Sequence, residues 1–214
     1  GNLVHNRQVV EKFKQLGTIS VKTLAEIPAA GGTLLISAHG VVPEVYDEAK
    51  ARNLQVVDTT CSWVKRAQKI AGEYAKDGRR VVIVGDKNHP EVTGLLGWSG
   101  PRAIVIENEA GLKNLHFAAG DRIGILAQTT QAAERFQTVV DFIKKQARDV
   151  KAFNTICGAT CKRQAAAVEL AGKVDLMLVI GDKLSANTKR LVELCTATGT
   201  PTHQIQTAAE LDQA

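Results

Sequence analysis

The residues best suited to chemistry are thiols, imidazoles and a carboxyl set beside glycine, proline or asparagine: Cys61, Cys157, His5, His39, His89 and Glu91. Cys61 and Cys157 each open a predicted helix with a basic start (Lys65 and Arg66; Lys162 and Arg163), and free amides there favour a thiolate, the metal-binding form. They are equally placed to be small residues packed between strand and helix. His5, His39 and His89 stand in loops or helix starts, and imidazoles donate to phosphate oxygens as asparagine amides do. With Ser185 and Asn187 at another helix start they describe an anion pocket, although any one of them alone reads as a structural hydrogen-bonder. His116 and His203 lack such context and read as surface residues. Glu91 follows His89 by two positions and is expected in a loop held by Pro90, a place from which a carboxyl can deliver protons. Thr129 and Thr130, expected to begin a helix running to Lys145, either cap it or pass a proton toward Glu91.

The other two cysteines read differently. Cys161 lies one helical turn past Cys157, and Cys195 lies in the helical run LVELCTA, so both are expected in the core. With no secretory context, disulfides are not expected. Short paired spacings of the zinc kind are missing, and Cys157 and Cys161 do not form a C-x-x-C, which counts against a zinc or thiol-redox protein. A soft-metal cluster between quasi-equivalent thiolates suits the pattern better.

These residues need a scaffold, and the apolar runs supply one. TLLIS (33–37), VVIVG (81–85), AIVIE (103–107), IGILA (123–127) and DLMLVIG (175–181) read as buried parallel strands, with short strands at 55–57 and near Phe153. Helical stretches are expected at 6–16, 43–51, 62–76, 130–147, 161–172 and 186–198. The alternation makes the class α/β. In parallel α/β sheets ligands bind beyond the carboxyl ends of the strands, which is where His39, Cys61, His89, Glu91, Gln128, Thr129, Thr130, Cys157, Ser185 and Asn187 fall.

Sliding the chain against itself by 96 residues aligns Asp58–Cys61 with Asn154–Cys157 and Gly85-Asp86-Lys87 with Gly181-Asp182-Lys183. Each cysteine thus opens a unit that runs through a basic helix to a strand ending in GDK. Residues 1–60 read as the latter part of such a unit, whose own cysteine would precede Gly1. The expected organisation is three small lobes, 1–60, 61–155 and 156–214, the first and third incomplete.

Bulk composition narrows the classes. The 214 residues are 44% hydrophobic and 23% charged, and no apolar run approaches a membrane span. The opening GNLVHNRQVV is not a secretory signal, so a cytoplasmic protein, or a processed organelle one such as a plastid protein, is expected. The net charge of +5 would suit nucleic acid, but aromatic residues are only 4% and the basic residues are scattered. A small polyanionic substrate fits instead.

The segments LVHN, SAHGV, DTTC, HPEV with Gly94 after it, AQTT, NTIC with Ala159-Thr160 and Arg163-Gln164, and SANTKRL occur in one order across residues 1–214. In this the sequence resembles the 4-hydroxy-3-methylbut-2-enyl diphosphate reductase family of the non-mevalonate isoprenoid route. The resemblance implies three α/β lobes around a 4Fe-4S cluster, with Cys61 and Cys157 as two of three cluster ligands. It implies diphosphate contacts at His5, His39, His89, Ser185 and Asn187, with Gln128 and Thr130 also at the substrate, and catalytic roles for Glu91, Thr129 and His89. The implied reaction is two-electron reductive removal of the allylic hydroxyl to give isopentenyl and dimethylallyl diphosphate, fed by a donor such as ferredoxin or flavodoxin. The sequence departs from the family pattern in three places. A first cysteine in a C-x-G-V-like segment is absent, a Gly-Ala-Ser-like segment expected past Ala214 is absent, and Ala186 stands where a second serine is usual. The competing expectation is a cluster-free module that binds diphosphates without redox chemistry. Open sheet edges at incomplete lobes would invite self-association.

Overall fold

The computed structural model describes residues 1–28, 31–112 and 115–213. In chain order its elements are α1 (Arg7–Gln15), β1 (Thr33–Ile36), α2 (Pro43–Ala51), β2 (Gln55–Asp58), α3 (Ser62–Lys76), β3 (Arg80–Val84), α4 (Pro90–Trp98) and β4 (Ile104–Ile106). Then follow β5 (Arg122–Ala127), α5 (Ala133–Lys144), β6 (Asp149–Ala152), α6 (Gly158–Ala171), β7 (Met177–Ile180), α7 (Ala186–Ala197) and β8 (Thr202–Ile205), with short 3₁₀ turns between some of them. The strands form three parallel sheets: β1 with β2, a central sheet of order β4-β3-β5-β6, and β7 with β8. The fold is α/β with parallel sheets. No helix among the described residues is long and apolar enough to cross a membrane.

The central sheet is apolar on both faces because helices cover both. Val81, Ile83 and Leu126 pack with Ala67 and Ala71 of α3 and Val92 and Leu95 of α4. The alternate residues Val82, Val84, Ile125 and Ala127 pack with Phe136, Val139, Val140 and Ile143 of α5. A side chain at Gly124 would collide with the Tyr74 ring, so this glycine lets α3 lie directly on β5. The outer sheets are covered on one side: Leu34 and Ile36 are buried while Leu35 is 39% exposed, and Val179 is buried while Ile180 is 72% exposed.

The repeat read from the sequence recurs as hydrogen bonds. Thr60 N donates to Asp58 Oδ1 at 3.0 Å and Ile156 N to Asn154 Oδ1 at 2.9 Å. His89 N donates to Asp86 O at 2.9 Å and Ser185 N to Asp182 O at 3.0 Å. The correspondence also runs upstream of the cysteines, since the Thr59 and Thr155 hydroxyls donate to the last carbonyls of β1 and β5, Ile36 and Ala127. β1, α2 and β2 therefore precede Cys61 as β5, α5 and β6 precede Cys157.

Three local expectations are corrected. Glu91 lies in the first turn of α4 and not in a loop; Pro90 occupies the first helical position, where its missing N–H costs nothing. Gly94 and Gly97 disguised this helix, yet a side chain at Gly97 would come within 2.6 Å of Val42 Cγ1, so the glycine serves close packing. The helix expected from Thr130 begins at Ala133, leaving Thr129 and Thr130 in a turn where neither caps it. Strand β8, with the polar sequence THQI, carries too little apolar signal to be foreseen.

Candidate functional site

The polar residues named above lie where the strands end. His39 is in the turn after β1, Gln128, Thr129 and Thr130 follow β5, and Cys61, His89, Cys157 and Ser185 are the N-cap residues of α3, α4, α6 and α7. His5 comes from the segment before α1. Leu3 O accepts Ala38 N at 3.2 Å, which staples that segment to the turn carrying His39. The result is a cluster of three imidazoles, with ring centroids 4.3 Å apart for His5 and His39, 5.3 Å for His5 and His89, and 5.4 Å for His39 and His89.

Ring nitrogens of the three histidines lie within 4.8 Å of one another, close enough to hold a metal ion. One hydrogen bond argues for an anion instead. His89 Nδ1 accepts the Glu91 N–H at 3.1 Å, so in the neutral ring the proton sits on Nε2. A metal-bound imidazole needs its second nitrogen to donate, and here that nitrogen faces a donor. His89 is thereby fixed as an N–H donor toward an incoming oxygen. Both nitrogens of His5 are buried without a partner among the described residues, as is Asn187 Oδ1.

Burial pulls His39 down to about 4, helped by His5 and His89. Burial and His5 pull His89 to about 4 against the opposing Asp86. His5 is lowered by burial, with Asp182 opposing. The cluster is neutral at pH 7, and a polyanion among the rings would favour their protonated forms. Histidine-ring NMR titration is expected to give midpoints near 4 for His39 and His89 in the free protein, rising toward the ordinary value of about 6.5 or above with inorganic pyrophosphate. Midpoints that pyrophosphate leaves in place would show that the anion does not bind there.

Glu91 is 2% exposed, and its carboxylate accepts the Thr129 N–H at 2.6 Å and the Thr129 hydroxyl at 2.8 Å. Burial pushes the carboxyl up to about 7; the two Thr129 bonds oppose the rise and Asp86 adds to it. An acid poised near neutrality is what general acid catalysis requires. Gln128 is fully buried; it accepts the N–H of Asp86 at 2.8 Å and donates to Thr130 Oγ1 at 3.0 Å. Its amide braces the loops after β3 and β5, and so engages Thr130 as well.

A family profile described as LytB protein matches residues 1–214. The chain belongs to the LytB family. It is 40% identical over 213 residues to 4-hydroxy-3-methylbut-2-enyl diphosphate reductase of Geobacter sp. (strain M21), covering 100% of this chain and 74% of the relative. The reductase of the same name from Dehalococcoides mccartyi (strain BAV1) is 45% identical over 215 residues, with 99% of this chain and 74% of the relative covered. A solved E-1-hydroxy-2-methyl-but-2-enyl-4-diphosphate reductase from Plasmodium falciparum superposes with a TM-score of 0.93 at 29% identity, covering 99% of this chain and 67% of that one.

As a LytB chain it invites a test of its thiols against the 4Fe-4S cluster the family implies. Cys61 is exposed, Cys157 half-buried, and both are free. Their helices start close together, since a side chain at Gly158 would touch the Trp63 ring at 3.9 Å. Cys61 N donates to Ala38 O at 3.0 Å and Cys157 N to Thr129 O at 2.9 Å, fixing both to the rim. The other thiols are engaged elsewhere: Cys161 packs on the central core, and Cys195 is buried with Sγ 3.6 Å from Ala167 O. Among the described residues the rim thus offers two free thiols, Cys61 and Cys157, whose chemistry suits a soft metal, and no third.

Sequence reasoning missed Gln131 and Arg190, both buried beside the site, and saw Asp86 and Asp182 only as repeat markers.

Proposed function

We propose that this chain acts in the reduction of 4-hydroxy-3-methylbut-2-enyl diphosphate to isopentenyl and dimethylallyl diphosphate, the reaction its relatives' names describe. The observation that carries this reading is the neutral imidazole cluster, with His89 held as an N–H donor, two residues from the buried acid Glu91. His5, His39 and His89, with Ser185 and Asn187, would hold the diphosphate. Glu91, protonated in part near pH 7 and bonded to Thr129, would give a proton to the departing hydroxyl. Removing that hydroxyl as water takes two electrons and two protons. Cys61 and Cys157 would hold a 4Fe-4S cluster, and the chemistry such a cluster supplies when bound is electron delivery from a ferredoxin- or flavodoxin-like donor.

A second reading, a diphosphate-binding module without redox activity, is favoured by the two-thiol donor set. Anaerobic reconstitution with iron and sulfide separates the two. The reductase reading expects a brown protein with bound iron and sulfide, and a marked loss of both in Cys61→Ser and Cys157→Ser. A colourless protein that still binds pyrophosphate would leave only the binding module.

A further inference from the structure

The pocket proposed above takes its residues from all three sheets: His5 and His39 from the first, His89 from the central one, Ser185 and Asn187 from the third. Its third wall is the N-terminus of α7, carried by a two-stranded sheet, and something must hold that wall against His89. Arg190, one turn along α7 from Asn187, is 7% exposed. Its Nη2 donates to Gln131 Oε1 at 3.2 Å and lies 4.0 Å from Asp86 Oδ1, while Nη1 pairs with Glu193. Gln131, 1% exposed, donates from Nε2 to Asp86 Oδ1 at 3.3 Å. Asp86 in turn holds the backbone N–H of His89 on its own carbonyl at 2.9 Å. A guanidinium on the third sheet is thus tied through two residues to the backbone of His89. Burying it costs solvation that an apolar side chain would avoid, and Nε has no partner among the described residues.

The repeat supplies an independent observation. Asp182 stands 96 residues after Asp86, and it too reaches across to another part of the rim: Oδ2 accepts the N–H of Arg7, the first residue of α1, at 2.8 Å. Both GDK aspartates are therefore clasps between neighbouring walls. This gives a structural meaning to a motif whose residues take no part in the proposed chemistry.

We propose that Arg190 is a positioning residue which, through Gln131 and Asp86, sets Ser185 and Asn187 at the separation from His89 that a bound diphosphate bridges. The inference rests on the diphosphate reading of the pocket. Calorimetric titration of the 214-residue chain with inorganic pyrophosphate tests it. Arg190→Met is expected to weaken binding on the order of tenfold, with Arg190→Lys falling between. In a Ser185→Ala/Asn187→Ala background the same Arg190→Met change is expected to add little, because the groups it positions are gone. Gln131→Met gives a second route should Arg190→Met not fold, with a loss of the same sign expected. Unchanged affinity in the variants, or an equal loss in both backgrounds, overturns the positioning role. An unmodified chain that does not bind pyrophosphate overturns the diphosphate reading itself and this inference with it.

Discussion

Glu91→Gln is expected to stabilise the protein above pH 7 while crippling the proposed reaction. The folded carboxyl titrates at about 7, above its ordinary 4.5. Below 4.5 both the folded and unfolded chains hold the proton, so the contribution of this group is fully present there. As the pH rises through 7 the folded state must ionise a buried group, and the contribution is lost. The stability of the variant relative to the parent should grow by ~3 kcal/mol between those limits. The comparison must be made between variants, because His39 and His89 act the other way. With pKa values lowered to about 4, they contribute stability above their ordinary 6.5 that is lost as the pH falls through 4. Urea denaturation of both proteins from pH 4.5 to 8 gives the difference directly; a difference independent of pH would show that Glu91 ionises normally. In the reductase reaction the variant should lose turnover by ~10²- to 10⁴-fold with little change in pyrophosphate affinity.

The second large effect lies at the opposite end of the central sheet. Arg79, 4% exposed, donates to Asp77 Oδ2 and Asp149 Oδ1 at 2.7 Å each, and to the carbonyls of Ile123 and Asp149 at 3.3 Å. One planar fork thus ties together the feet of β3, β5 and β6. Breaking a fully buried ion pair costs ~3–5 kcal/mol; Asp77 and Asp149 reach solvent and can be hydrated again, so Arg79→Met should cost about 2 kcal/mol. Arg79→Lys should restore only part, because an ammonium cannot serve both acids and the carbonyls in one plane. Arg122→Met removes a half-exposed arginine from the same two acids and should change the denaturation midpoint little. Equal effects at Arg79 and Arg122 would show that burial at Arg79 adds nothing.

The sequence made the strands and the rim legible because apolar β-branched runs and polar strand ends are local signals. VVIVG and IGILA pair as neighbours in the central sheet, and the residues after them include His89, Glu91 and Thr129. What stayed hidden depended on contacts distant in sequence. Helix α4 looked like a loop until Gly97 met Val42. The bonds of Gln128 to Asp86 and Thr130, which join the loops after β3 and β5, had no sequence signal either. Arg190 sits inside SANTKRL as an ordinary helical cation, and only the approach of Gln131, 59 residues away in sequence, makes it a strut. Composition and spacing carry no trace of such a pairing.

Thr129 has a consequence that reaches beyond its hydroxyl. Its N–H and side chain grip Glu91 on one side, and its carbonyl receives the N–H of Cys157 on the other. One residue is thus the common pivot of two arms, one ending in the proton donor and the other in a thiol. Both arms hang from one turn, so the acid and the start of the helix that carries the thiol share a single support.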